Sequence, residues 1–192
     1  LPYQTVETFT KTVGQILELR PDRIALYNFA FLPRMLAHQR SIPEESLPPG
    51  PEKFRIFLKA HDLLVESGYR YIGMDHFALP DDELAVACDD GTMQRNFMGF
   101  TTRSGTDLAG MGVSAISFHG SMYAQNTKKL PRYRGAVNRG ELPIMKGHVL
   151  SSDDLLRADL ITALMCRDRI DIRTLENRHG IEFKEYFSSE IQ

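Results

Sequence analysis

Tyr69-Arg70-Tyr71-Ile72-Gly73-Met74-Asp75-His76-Phe77-Ala78-Leu79 sets a short apolar run directly against an Asp-His pair. The run from Tyr69 to Met74 predicts a buried strand, and the polar pair stands where that strand delivers side chains to a rim. Upstream, Pro51 to Ser67 carries Phe54, Phe57, Leu58, His61, Leu64 and Val65 at helical spacing, with Gly68 as its C-cap. Before that helix, Arg23 to Phe29 is short and apolar behind Pro21-Asp22, as a strand buried on both faces would be. Gln4 to Leu19 repeats the helical pattern through Val6, Phe9, Val13, Ile16 and Leu17, and Pro21 stops it. Helix, strand, helix, strand predicts an α/β fold with a parallel sheet, whose ligands gather at the carboxyl ends of the strands. Asn28-Phe29-Ala30 and Asp75-His76-Phe77 are then expected on one rim.

Past residue 80 the pattern changes. Asp81 to Cys88 reads as a short helix, Gln94 to Thr106 as an irregular stretch, Gly112 to Phe118 as a strand, and the remainder as mainly helical. Ser151-Ser152-Asp153-Asp154 can cap a helix running to Cys166, and Arg173 to His179 predicts a last helix ended by Gly180. The net charge of -2 comes from interspersed signs, which gives no basic stripe for nucleic acid and no acidic tail. No apolar run approaches the roughly 18 residues of a membrane span, so no membrane partner and a cytoplasmic location are expected. Leu1-Pro2 leads at once into a polar helix, and the chain is expected to be cut from a longer one. Cys88 and Cys166 are the only cysteines, too few and too far apart for a zinc ribbon or a cluster-binding triplet, and they read as reduced thiols.

Several residues offer chemistry. His76 beside Asp75 can donate to a carboxylate or act as an acid. Gly110-Met111-Gly112-Val113 brings backbone amides close together, as a tight turn into a strand does and as a sugar or carboxylate would use. Arg34, Arg40, Arg95 and Arg103 fall in loops, where a guanidinium binds carboxylates by two parallel hydrogen bonds or is simply solvated. Met35, Met74, Met93, Met98 and Met111 read as gap fillers rather than a soft-metal site. Asp81-Asp82-Glu83 reads as a helix N-terminus.

The tract Tyr71-Ile72-Gly73-Met74-Asp75-His76-Phe77-Ala78-Leu79-Pro80-Asp81-Asp82-Glu83-Leu84-Ala85 resembles the oxygen-independent coproporphyrinogen III oxidases, radical SAM enzymes of haem synthesis. Tyr27-Asn28-Phe29-Ala30, Leu32-Pro33, Arg95-Asn96-Phe97, Gly99-Phe100-Thr101-Thr102, Asp107-Leu108, Gly110 to Ser117 and Tyr123-Ala124-Gln125-Asn126 resemble further blocks in family order. The resemblance implies the C-terminal part of an incomplete radical SAM (β/α) barrel in residues 1–78, followed by a mostly helical C-terminal domain in residues 79–192. It also implies S-adenosylmethionine and a 4Fe-4S cluster as cofactors, the cluster's ligands lying in an N-terminal half that is not part of this sequence. That half would be a partner of this piece, which alone is expected to be inactive and, with a bare sheet edge, to fold poorly.

The implied reaction converts the propionates on rings A and B of coproporphyrinogen III to vinyl groups, giving protoporphyrinogen IX. Ala30 and Ile116 match family positions that contact S-adenosylmethionine, where apolar and backbone packing suits an adenosyl group. Asp75, His76, Arg34 and Arg103 are candidates for shaping the substrate pocket, and Ala30, His76 and Ile116 are expected to line one cavity. Where the family usually reads Asn-Phe-Gln-Gly-Tyr-Thr-Thr, this chain has Met98 for the glutamine and Phe100 for the tyrosine. Haem chaperones of the same superfamily are the nearest alternative, but they resemble this chain less, carrying a Glu-x-Ser tract in place of Met74-Asp75-His76-Phe77-Ala78. A winged-helix nucleic-acid module after Ser151 is disfavoured because acidic residues alternate with Arg157, Arg167, Arg169, Arg173 and Arg178.

Overall fold

The structure is a computed structural model that describes residues 1–103, 105–167 and 169–191. It divides into two compact units, Leu1–Asp90 and Gly91–Gln192.

In the first unit, helix α1 (Val6–Leu19) starts at Thr5, whose hydroxyl accepts from Thr8 N while the Thr8 hydroxyl accepts from Thr5 N. It ends on Arg20 in the left-handed conformation. Strand β1 (Arg23–Ala25) follows, then a long connection, then α2 (Gly50–Glu66), which opens on Pro51 and is ended by Gly68 at φ +92°. Strands β2 (Arg70–Gly73) and β3 (His76–Ala78) and helix α3 (Glu83–Asp89) complete the unit. The apolar faces of α1 and α2 meet the sheet in a core of Val13, Ala60, Leu64, Tyr69 and Phe77. The Tyr69 hydroxyl donates to Pro21 O at 2.6 Å, so the one polar atom of that ring is satisfied. Helix α3 is tied into the same unit, because Arg23 pairs with Asp82 and Glu83, and Arg70 with Asp89.

The sheet corrects the expected strand pairing. β1 and β2 are not neighbours; the order is β1-β3-β2, and both outer strands pair antiparallel with β3, Ala25 opposite His76 and Arg70 opposite Ala78. The two outer strands therefore run in the same direction, as a helical crossover implies, but a third strand fills the gap between them. The cause is local. Gly73 at φ +141° and Met74 at φ +53° reverse the chain in a two-residue hairpin loop, Met74-Asp75. His76 is consequently the first residue of a returning strand, not a residue beyond a parallel rim.

The second unit holds more strand than the sequence pattern suggested. The expected irregular stretch begins with a hairpin of β4 (Gln94–Asn96) and β5 (Gly99–Thr101). A sheet of order β6-β7-β8 follows, from β6 (Ile116–His119), β7 (Met122–Asn126) and β8 (Ile144–Val149), with α4 (Leu130–Asn138) between the last two. Helices α5 (Ser152–Arg167), α6 (Ile172–His179) and α7 (Phe183–Tyr186) then pack around Leu156, Leu175, Phe183 and Phe187. The Ser151 hydroxyl accepts from Asp154 N at 3.2 Å, as the Ser-Ser-Asp-Asp tract predicted, and Gly180 ends α6 in the left-handed conformation.

Asp153 fastens the C-terminal turn to α5: it accepts from the Tyr186 hydroxyl at 2.7 Å and from Arg157 Nε at 3.0 Å. These two bonds, the tyrosine's first, hold its carboxyl below the usual carboxylate range. Because the folded value is depressed, the stabilisation is present above the unfolded value of about 3.9 and is lost as pH falls through the folded one. Asp153→Asn is therefore expected to lower the thermal midpoint at neutral pH by an amount that shrinks as the solution is acidified. An equal effect at pH values above and below the carboxylate range would contradict this.

Candidate functional site

In the first unit, the chain leaves β1 as Leu26-Tyr27-Asn28-Phe29-Ala30 and lies against the β2-β3 turn. Leu26 N donates to Asp75 O at 2.7 Å, and the Tyr27 ring meets His76 edge-on with centroids 6.0 Å apart. Asp75 Oδ1 accepts from His76 Nδ1 at 2.7 Å, and both side chains are about four-fifths buried, with 23% and 20% exposure. A carboxylate on Nδ1 holds the imidazole ring in one orientation. Leu26, Tyr27, Asn28 and Phe29 also line a small cavity with Phe9, Ile56 and Phe57.

Ala30 itself is exposed, between Phe29 and Phe31, whose rings lie 6.5 Å apart. Its carbonyl accepts from the Gln39 side chain at 3.0 Å, and Gln39 Oε1 accepts from Leu32 N at 2.5 Å. One buried carboxamide thus holds both sides of Phe31. Arg40 is committed to the same segment, since its Nε donates to Pro33 O. Arg34 is exposed beside it, as a guanidinium must be to meet a carboxylate from solution.

In the second unit the Gly110-Met111-Gly112 segment is pressed against the start of β6. Gly110 has no room for a side chain: a Cβ there would lie 2.5 Å from Ile116 O and 2.7 Å from Ile116 C. Its N–H donates to the Ser117 hydroxyl at 3.0 Å, and Gly112 N–H donates to the Tyr133 hydroxyl at 3.0 Å. The buried Asn126 amide donates to Gly110 O at 3.1 Å and to Gly112 O at 3.0 Å. Met111 projects from the tip, 89% exposed, and Ile116 is half-buried at the base. The segment reads as the tight turn into a strand that its glycines suggested, and it presents an apolar side chain with a fixed backbone.

Arg103 lies further along this unit, exposed, with its N–H on the Thr101 hydroxyl at 3.1 Å. Arg95 instead covers the Phe100 ring at 5.9 Å. Met98 is 82% exposed at the tip of the β4-β5 hairpin, beside Phe97, whose ring stands edge-on to Tyr123.

Gln39, Asn126 and Tyr133 were not singled out as site residues by sequence reasoning. Asn126 stands in the Tyr-Ala-Gln-Asn block, so a signal was present for it; for Gln39 and Tyr133 the pattern offered none.

The two implied cofactors fare differently. Cys88 lies in α3 and Cys166 in α5, in separate units, and no group of three or more His, Cys, Asp or Glu is gathered among the described residues. These residues do not fit a 4Fe-4S cluster. A nucleoside asks for apolar contact and fixed backbone groups, and each segment offers these by itself, the Gly110–Ile116 turn in one unit and the Ala30 segment in the other. No helix of the described residues is long and apolar enough to cross a membrane.

No family model matches the chain. Relatives do: the oxygen-independent coproporphyrinogen III oxidases of Salmonella typhimurium, Escherichia coli and Synechocystis are 46%, 44% and 43% identical to it, and each alignment covers the whole chain. The chain spans 42% of the length of each of these relatives. A solved structure of the Escherichia coli coproporphyrinogen III oxidase, described as a radical SAM enzyme, superposes with a TM-score of 0.95 at 44% identity, over all of this chain and 44% of that one. Sequence and fold agree from one end of the chain to the other, so over its whole length the chain is similar to part of the oxygen-independent coproporphyrinogen III oxidases and to part of a radical SAM enzyme.

Proposed function

We propose that this chain, as part of a longer protein, serves the oxygen-independent oxidative decarboxylation of coproporphyrinogen III to protoporphyrinogen IX in haem synthesis. The whole-length identity to oxidases, together with the TM-score of 0.95, is the observation that supports the reading. Cofactors and partners of the whole protein belong to the proposal: S-adenosylmethionine, a 4Fe-4S cluster and an N-terminal half supplying the cluster's ligands. A division at residues 78 and 79 between barrel-derived and C-terminal domains, and a cytoplasmic location, belong to it too. S-adenosylmethionine, held against Ala30 and Ile116 and reduced by one electron through the cluster, would supply radical hydrogen abstraction at the propionate β-carbon.

What the chain's own residues contribute is binding, orientation and exclusion of water. Ala30 and Ile116 pack against S-adenosylmethionine through apolar surface and neighbouring backbone. Arg34 and Arg103 bind substrate propionates as guanidinium–carboxylate pairs. His76, oriented by Asp75, forms a hydrogen bond with the substrate, and the partial burial of the pair strengthens that bond relative to one in water.

Two measurements test this. The full-length protein, reduced and kept free of oxygen, is expected to convert coproporphyrinogen III to protoporphyrinogen IX; haem binding without any conversion would replace the proposal by a chaperone role, which no observation here favours. In the same protein His76→Ala is expected to raise the substrate KM about tenfold, the equivalent of one charge-assisted hydrogen bond. Unchanged KM and kcat would remove His76 from the pocket.

A further inference from the structure

We infer that Gln39 and Asn126 are positioning residues, each a buried carboxamide that sets the shape of one S-adenosylmethionine-contacting segment. The inference rests on the proposed roles of Ala30 and Ile116 and goes beyond them.

Four polar residues are buried in the described chain, Gln39, Ser46, Asn126 and Thr127, and two of them spend their side chains on these segments. Gln39 is 5% exposed and Asn126 7%. Irregular backbone has no ladder to satisfy its N–H and C=O groups, and a buried group left unpaired is destabilising. A carboxamide is the side chain suited to this, since it carries donors and an acceptor without a charge.

Gln39 uses both kinds, accepting from Leu32 N and donating to Ala30 O. Asn126 donates to two carbonyls, Gly110 O and Gly112 O, which face the same way because the turn is closed around its amide. Tyr133 adds the acceptor for Gly112 N–H from α4. The turn's curvature, and with it the placement of Ile116 under Gly110, is therefore held from behind by side chains that need touch no ligand.

The substitutions that keep size while spoiling this pattern are Asn126→Asp and Gln39→Glu. Each turns a donor toward a backbone carbonyl into a carboxylate oxygen, which repels it. Measured by calorimetric titration of the full-length protein with S-adenosylmethionine, both are expected to weaken binding about tenfold near pH 8. A carboxyl aimed at two carbonyls has its pKa raised, so Asn126→Asp is expected to regain affinity toward pH 6, where the protonated group donates again. A residue that merely stabilises the fold would not give that pH profile. Leu175→Ala, in the helical core of the second unit, is the control: a lower thermal midpoint with unchanged affinity.

Should Asn126→Asp fail to fold, Tyr133→Phe removes only the acceptor for Gly112 N–H and is expected to weaken binding about threefold. Affinities within error of the parent for Gln39→Glu and for Asn126→Asp or Tyr133→Phe, while Ala30→Trp and Ile116→Trp abolish binding, would overturn the positioning roles alone. Full binding by Ala30→Trp and Ile116→Trp would overturn the contact assignment and this inference with it.

Discussion

Gly110→Ala in the full-length protein is expected to reduce turnover about 100-fold and to weaken S-adenosylmethionine binding about tenfold, with little change in overall helix and strand content. The new methyl carbon would sit 2.5 Å from Ile116 O, well inside contact distance, and the obstacle is backbone, which no rotamer change can move. The turn must lift from β6. A displacement on the order of 1 Å in a positioning element is enough for about a 100-fold loss. The fold should survive because Ile116 remains paired with Gln125 across the β6-β7 ladder. Anaerobic turnover and titration of the purified variant check this, and parent-like values for both would show that the turn plays no part in binding.

Phe77→Ala carries the largest expected effect on stability. Phe77 is 1% exposed on the central strand β3 and packs against Tyr71 and His61, with ring centroids at 5.2 and 5.8 Å, inside the core made with Val13, Leu64 and Tyr69. Removing a buried phenylalanine ring costs about 3–5 kcal/mol, against a typical net stability of about 5–15 kcal/mol for a domain. For a unit of this size that corresponds to a fall in melting temperature of at least about 12 °C. Urea unfolding followed by circular dichroism measures it. A loss below about 1 kcal/mol would mean that β3 is not the centre of the core. Because Phe77 follows His76, the same change is expected to loosen the candidate pocket's turn.

The helices were legible because they carry their own punctuation. Pro21 and Pro51 bracket α1 and α2, Gly68 and Gly180 close α2 and α6, and the Ser-Ser-Asp-Asp tract opens α5, each a local signal independent of tertiary context. Strand pairing was not legible. β3 is three residues long, too short to show a period, and the reversal at Gly73-Met74 depends on two positive φ angles that a Gly-Met dipeptide does not announce. β8 was missed for a different reason: all six of its residues are exposed, so no buried face imposes alternation on Ile144 to Val149.

The candidate residues divide the same way. Asp75 and His76 could be singled out because they are adjacent in sequence, and they are bonded at 2.7 Å. Gln39 and Asn126 could not be reached from spacing, since their partners lie 7 to 16 residues away in irregular chain and the relation exists only once that chain is folded. Ala30 and Ile116 carry no ionisable group; the strand pattern put Ala30 on the expected rim, but only the family resemblance tied either residue to a ligand.

The most direct measurement is a crystal structure of the full-length protein grown anaerobically with S-adenosylmethionine. S-adenosylmethionine, as one molecule or two, is predicted to lie in van der Waals contact with Ala30 and with Ile116, the Gly110–Gly112 turn closed behind the latter on Asn126. S-adenosylmethionine bound with neither residue within contact distance would contradict the account.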